Sequence, residues 1–226
     1  LLIFTTKTTV SNSMKNNIIL TFTLFFCIAI AATAQIKSDS QAIAAIDKAA
    51  AKLNTAYGTT VKMSIKEPDK DKATTENMDI KLSGNKFYLK TKDMEVFFDG
   101  KTQWVVFPEL NEVSISNPTA KELQEISPVA IIKNYKNRYR VVFDPELTTA
   151  KTDAINLYPN NRNEDIFRIR IFVNKTTNEL TKIESASRNG QRITFELGSY
   201  KPLTANATTF TFNAKNYPKI TVNDLR

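Results

Sequence analysis

Apolar side chains change their spacing near Thr59. Before it, in KSDSQAIAAIDKAAAKLNTA (37–56), Ile43, Ile46, Ala50 and Leu53 recur at helical intervals behind the capping candidates Ser38, Asp39 and Ser40. One amphipathic helix is expected there. From Thr59 the period falls to two: Val61, Met63 and Ile65 alternate with Lys62, Ser64 and Lys66, and Met78, Ile80 and Leu82 alternate after an EPDKDK turn. The alternation continues through 86–91, 95–98, 102–107 and 112–116. It breaks where Pro118 and Pro128 each suit the first position of a short helix, and resumes at 139–144, 154–158, 166–174, 180–187 and 191–200. About eleven strands follow, with turns built on Asn, Asp and Pro because the chain has only five glycines. A sheet of that size curls, so a strongly curved sheet or barrel is expected.

Two stretches test which face is buried. In 166–173, Phe167, Ile169, Ile171 and Val173 oppose Arg168, Arg170 and Phe172, the pattern of a half-buried strand. FFDGKTQWVVFPELNEVSIS (97–116) is apolar in both phases, hinged at Asp99-Gly100 and turned again at 108–111. Phe98, Trp104 and Val106 are expected to face a cavity, with Phe97, Val105 and Phe107 on the other side under an unidentified cover. A one-residue slip would exchange the two sets.

Composition narrows the chemistry. MKNNIILTFTLFFCIAIAATAQ, starting at Met14, has the Lys, apolar run and small residues of a cleavable export signal, cut after Ala34. Residues 1–13 read as upstream sequence, and 35–226 (192 residues) as one domain. The only cysteine, Cys27, falls inside the signal and lacks the small preceding residue of an acylation site. No other run is long enough to cross a membrane as a helix. Lys and Arg number 31 against 23 Asp and Glu; with Lys7 and Lys15 set aside, residues 35–226 carry +6. These cations are scattered as on solvated strand faces, and no nucleic-acid motif is present. The chain has no histidine, which removes Ser-His-Asp and Cys-His chemistry and the usual zinc sites. No phosphate or calcium loop is present, so no cofactor or metal is expected. Glu109, Glu112, Asp144, Glu146, Glu164 and Asp165 sit in polar turns or beside strand ends, leaving a carboxylate hydrolase as a weak reading.

The order of a signal peptide, an N-terminal helix, Asp99-Gly100-Lys101-Thr102 then Trp104, Asn111-Glu112-Val113, and Ser127-Pro128 opening an apolar helix resembles the periplasmic carriers of outer-membrane lipoproteins, the LolA type. Asn189-Gly190-Gln191-Arg192, Phe210-Thr211-Phe212, Tyr217-Pro218 and Asp224-Leu225-Arg226 resemble that family's Bacteroides-group variant, and the likeness runs through essentially all of 35–226. It implies a mainly β fold, an unclosed antiparallel β-barrel of about eleven strands with an N-terminal helix and short lid helices. It also implies a non-enzymatic carrier, a periplasmic monomer that takes acylated lipoproteins from an inner-membrane ABC transporter to an unidentified outer-membrane acceptor. Carried over by position, Phe87, Leu89, Val96, Phe98 and Trp104 line the cavity, and Val129 and Ile132 belong to the lid. Met63, Met78 and Val106 are expected in the same lining, the methionines for their adaptable thioethers. Where proteobacterial members have Lys-Arg-Pro before the Asn, this chain has Ser83-Gly84 before Asn85, so the latch that the family's Arg is thought to provide is missing. An envelope sensor of the same fold is the alternative.

Overall fold

The computed structural model describes residues 38–119, 122–123, 131–132, 135–206 and 208–226. The expected signal at 14–34, the segment before it, Val129 and most of the lid segment lie outside the described residues. Glu122, Leu123, Ile131 and Ile132 are helical.

Helix α1 (Ser40–Lys52) starts where expected. Asp39 caps it, its Oδ1 accepting from the backbone N–H groups of Gln41 at 2.8 Å and Ala42 at 3.3 Å. Ala42, Ile46, Ala49 and Leu53 form the buried stripe. The strands are β1 (Tyr57–Lys66), β2 (Thr74–Ser83), β3 (Lys86–Lys90), β4 (Glu95–Phe98), β5 (Gln103–Phe107), β6 (Glu112–Ser116), β7 (Tyr139–Phe143), β8 (Thr152–Pro159), β9 (Ile166–Asn174), β10 (Leu180–Ser187) and β11 (Arg192–Leu197). These are the expected eleven. Two short strands join them, β12 (Lys201–Pro202) on β1 and β13 (Thr221–Asp224) beside β6.

All form one sheet ordered β13-β6-β5-β4-β3-β2-β1-β11-β10-β9-β8-β7. The order has two ends, so the barrel is unclosed. Every pairing is antiparallel except β13 with β6, which is parallel, Thr221 opposite Glu112 through Asp224 opposite Ile115.

Directly paired residues share a face, so the register assigns every side chain to one of two sides. The side under α1 is the helix face, and the other the back face. Across β7–β11 the helix face is a packed core in which Ile46 of α1 shares one buried cluster with Val141, Ile155, Leu157, Ile169 and Ile171, all at most 1% exposed. Each such side chain contributes roughly 1.5–3 kcal/mol by burial. The start of α1 is tied to β7, because Asp39 N–H donates to the Val141 carbonyl at 2.7 Å and Val141 N–H donates to Ser38 Oγ at 3.0 Å. Tyr135 Oη donates to Asp47 Oδ1 at 2.9 Å and fixes the helix middle.

The half-buried pattern of β9 holds with one change. A register shift between Ala186 and Ser187 brings Ile166 against the core, while Phe167 lies under the Arg192 guanidinium, 5.6 Å from ring centre to Cζ. On the back face, Arg170 is the centre of a polar network. It meets Asp144 Oδ2 at 2.8 Å and Glu184 Oε2 at 3.2 Å, and its Nε donates to Asn156 Oδ1 at 3.0 Å. Asn156 Nδ2 donates to Asp144 Oδ2 at 3.0 Å. That amide bond holds the Asp144 carboxyl below its ordinary value; burial opposes it and Arg170 reinforces it.

Candidate functional site

The helix face of β1–β5 carries a broad apolar band, interrupted by Thr59, Thr74, Glu76 and Gln103. Leu82, Phe87 and Phe98 are successive ladder neighbours, and so are Ile80, Leu89, Val96 and Val105. The Phe87 and Phe98 rings lie 5.2 Å apart, tilted by 33°. Met78 stands opposite Val61, with Met63 two residues further along β1. Met78, Val96 and Phe98 are buried, whereas Met63, Phe87, Leu89, Val105 and Phe107 are half-buried. Phe87 touches the margin of the α1 core; the others belong to no packed cluster among the described residues.

The register therefore brings together six of the expected lining residues: Met63, Met78, Phe87, Leu89, Val96 and Phe98. It separates Trp104 and Val106 from them. Phe98 pairs with Gln103 and Phe97 with Trp104, so Phe98 shares its face with Val105 and Phe107, and Trp104 and Val106 share theirs with Phe97. The expected grouping of Phe98 with Trp104 and Val106 is overturned. The cause is the length of the Asp99–Thr102 turn. Four residues between directly paired positions make even-numbered residues of β4 share a face with odd-numbered residues of β5, whereas the expectation carried one parity through the turn. Asp99 Oδ1 accepts from the N–H groups of Lys101 at 2.9 Å and Thr102 at 2.8 Å, and Gly100 takes a φ of 103°.

The unidentified cover is the C-terminal segment, and it lies over Phe97, Trp104 and Val106 rather than over Val105 and Phe107. Phe212, Tyr217 and Ile220 pack on the back face against Phe97, Trp104, Val106, Val113 and Ile115, with Val106 and Val113 fully buried. Its latch is polar: Tyr217 Oη and Tyr88 Oη both donate to Glu95 Oε2, at 3.0 and 2.8 Å, and Lys90 Nζ donates to Oε1 at 3.0 Å. Burial pushes the Glu95 carboxyl up, but these donors outweigh it and hold the group below its ordinary value. Of the expected lid residues, Ile132 is 1% exposed and part of the α1 core.

Little on the helix face of β1–β6 can do acid–base work. The charged groups at its ladder positions are Glu76 and Glu112, and no Lys or Arg stands there. Burial pushes the Tyr57 phenol well above its ordinary value, with Tyr200 4.4 Å away adding to the effect, so it stays neutral. Such a surface offers burial to an apolar partner.

An unclosed antiparallel sheet with a helix against one face defines the class, a mainly β open-barrel fold. The chain belongs to the family described as outer membrane lipoprotein carrier protein LolA, whose model matches residues 31–173. The crystal structure of an uncharacterized conserved protein from Thermus thermophilus has the same fold, with TM-score 0.55 and 12% identity over 82% of this chain and 99% of that one. A LolA superfamily protein, NE2245 from Nitrosomonas europaea, matches at TM-score 0.42 and 12% identity over 76% of this chain and 97% of that one. No curated protein matches by sequence.

Proposed function

We propose that this protein is a non-enzymatic periplasmic carrier that holds the acyl chains of lipoproteins against the helix face of β1–β5. It would receive them from an inner-membrane ABC transporter and release them to an outer-membrane acceptor. One observation carries the reading: Met63, Leu89, Val105 and Phe107 are half-buried apolar side chains of the helix face that belong to neither of the two packed clusters among the described residues. Phe87, Met78, Val96 and Phe98 complete the proposed lining, and Trp104 and Val106 are left out because they face the C-terminal segment.

The energetics suit a carrier. An acyl chain of about fifteen methylenes is worth ~12 kcal/mol of transfer at ~0.8 kcal/mol each, so it cannot cross water unshielded. A half-buried surface recovers part of that, and the cargo can still leave for a better acceptor. The test is titration with a fluorescent fatty-acyl probe, together with release of acylated lipoproteins from spheroplasts. Saturable probe binding with release supports the proposal. Probe binding without release would favour the sensor reading, and absence of both would end the carrier idea.

A further inference from the structure

The sheet sorts its charges by side. Every Lys and Arg at a ladder position of β1–β3 and β7–β12 falls on the back face, and none falls on the helix face. Arg140, Arg168, Arg192, Lys66, Lys81 and Lys201 make no ion pair with a described residue. Acids stand among them, at Asp79, Glu184, Glu95 and Glu196, with Asp144 just past β7 paired to Arg170. Glu184 and Glu95 are taken up by Arg170, Lys182 and Lys90, and Glu196 lies 3.8 Å from Lys62, so a cationic excess remains.

Several of these cations sit over aromatic rings of the same face. Lys182 is 4.0 Å from the centre of Phe172, Arg140 4.8 Å from Tyr158, and Lys81 5.0 Å from Tyr88. Between them run two adjoining grooves of about 550 and 460 Å³ that share Thr60, Asp79 and Lys90. Lys62 and Glu196 border the first, and Lys81, Tyr88 and Lys201 the second.

We infer that the back face is a docking surface for a membrane rich in anionic phospholipid headgroups. Charge complementarity sets the sign of the partner. Its class follows from distribution and composition: the cations are spread over many strands rather than gathered round an apolar centre, and lysine is depleted in the cores of protein–protein interfaces. A ring beneath a cation suits the headgroup layer, where an aromatic face meets the acyl boundary and the charge meets phosphate. Docking by this side leaves the apolar helix face free. The inference does not depend on what that face carries.

The experiment uses the 35–226 chain, which contains the whole compact unit from Ser38. It is sedimented with vesicles of phosphatidylglycerol and phosphatidylcholine, and with vesicles of phosphatidylcholine alone. Binding should occur on the first only and disappear between about 0.01 M and about 1 M salt, as the screening length falls from ~30 to ~3 Å. The triple variant Lys66→Glu, Lys81→Glu, Lys201→Glu should bind about a hundredfold more weakly. An equal charge change elsewhere, Lys48→Glu, Lys92→Glu, Lys101→Glu, at exposed helix and turn positions, should bind much more strongly than that triple; unchanged thermal melts of both verify folding. Equal loss in both triples would mean that net charge alone acts, and would overturn the inference. Binding to neither vesicle overturns it too, as does retention on immobilised polyglutamate without vesicle binding, which would point to an acidic protein partner.

Discussion

The two halves of the sheet bury opposite faces. Across β7–β11 the core is on the helix face, where α1 fills the space and Ile155, Ile169 and Ile171 are sealed. Across β4–β6 the sealed cluster is on the back face, where the C-terminal segment covers Trp104, Val106 and Val113. A strand needs one buried face to hold its register, and the C-terminal segment supplies it for β5 and β6 on the back face. Leu89, Val105 and Phe107 are half-buried on the helix face, apolar and in neither packed cluster among the described residues. The same alternating pattern thus serves stability in one half and, on the proposed reading, cargo in the other.

That contrast can be broken by truncation. Ile171→Ala should lower stability by about 3 kcal/mol in urea titrations, since it empties space under α1. Leu89→Ala should cost less than half as much, and an equal loss would mean that β3 carries a packed core after all. Next in size, Arg170→Ala should cost about 2 kcal/mol, because Asp144 and Glu184 lose their shared cation in a partly buried setting. Acyl-probe affinity should not change in that variant.

A pair of substitutions separates the faces of β5. Trp104→Ala should cost about 2 kcal/mol by loosening the C-terminal segment and leave probe affinity within about twofold. Phe107→Ser should cost under about 1 kcal/mol and weaken the probe about tenfold. The reverse result would restore the overturned phase. The smallest effect concerns acid. The folded pKa values of Asp144 and Glu95 lie below their unfolded values near ~4. The stability they add is complete above pH ~4 and lost as pH falls through the folded values. Glu95→Gln should therefore cost about 1 kcal/mol at neutral pH and flatten the acid limb of a stability-against-pH curve.

Much of this was legible in the sequence because it is local. Asp39 caps α1 through its own neighbours, and the alternation of Val61, Met63 and Ile65 is written within one strand. Phe87, Leu89, Val96 and Phe98 could be grouped because the family resemblance supplied their common side, and the register places them on one face. Val105 and Phe107 were missed, though the four residues from Asp99 to Thr102 held the signal: counting them shifts the parity of β5. The C-terminal segment offered a fainter one, with Phe212, Tyr217 and Ile220 as apolar residues in a polar stretch.

Local spacing by itself determined that an amphipathic helix precedes a long run of hairpin strands, since helix period, strand period and turn residues act within a few positions. Which face of each strand is buried was decided in the tertiary structure. That choice depends on what arrives from far along the chain: α1 beneath β7–β11, and residues 212–220 beneath β4–β6, held by β13 in parallel register with β6. A pattern apolar in both phases, as in 97–107, cannot name its own inside, because burial is a property of two surfaces meeting.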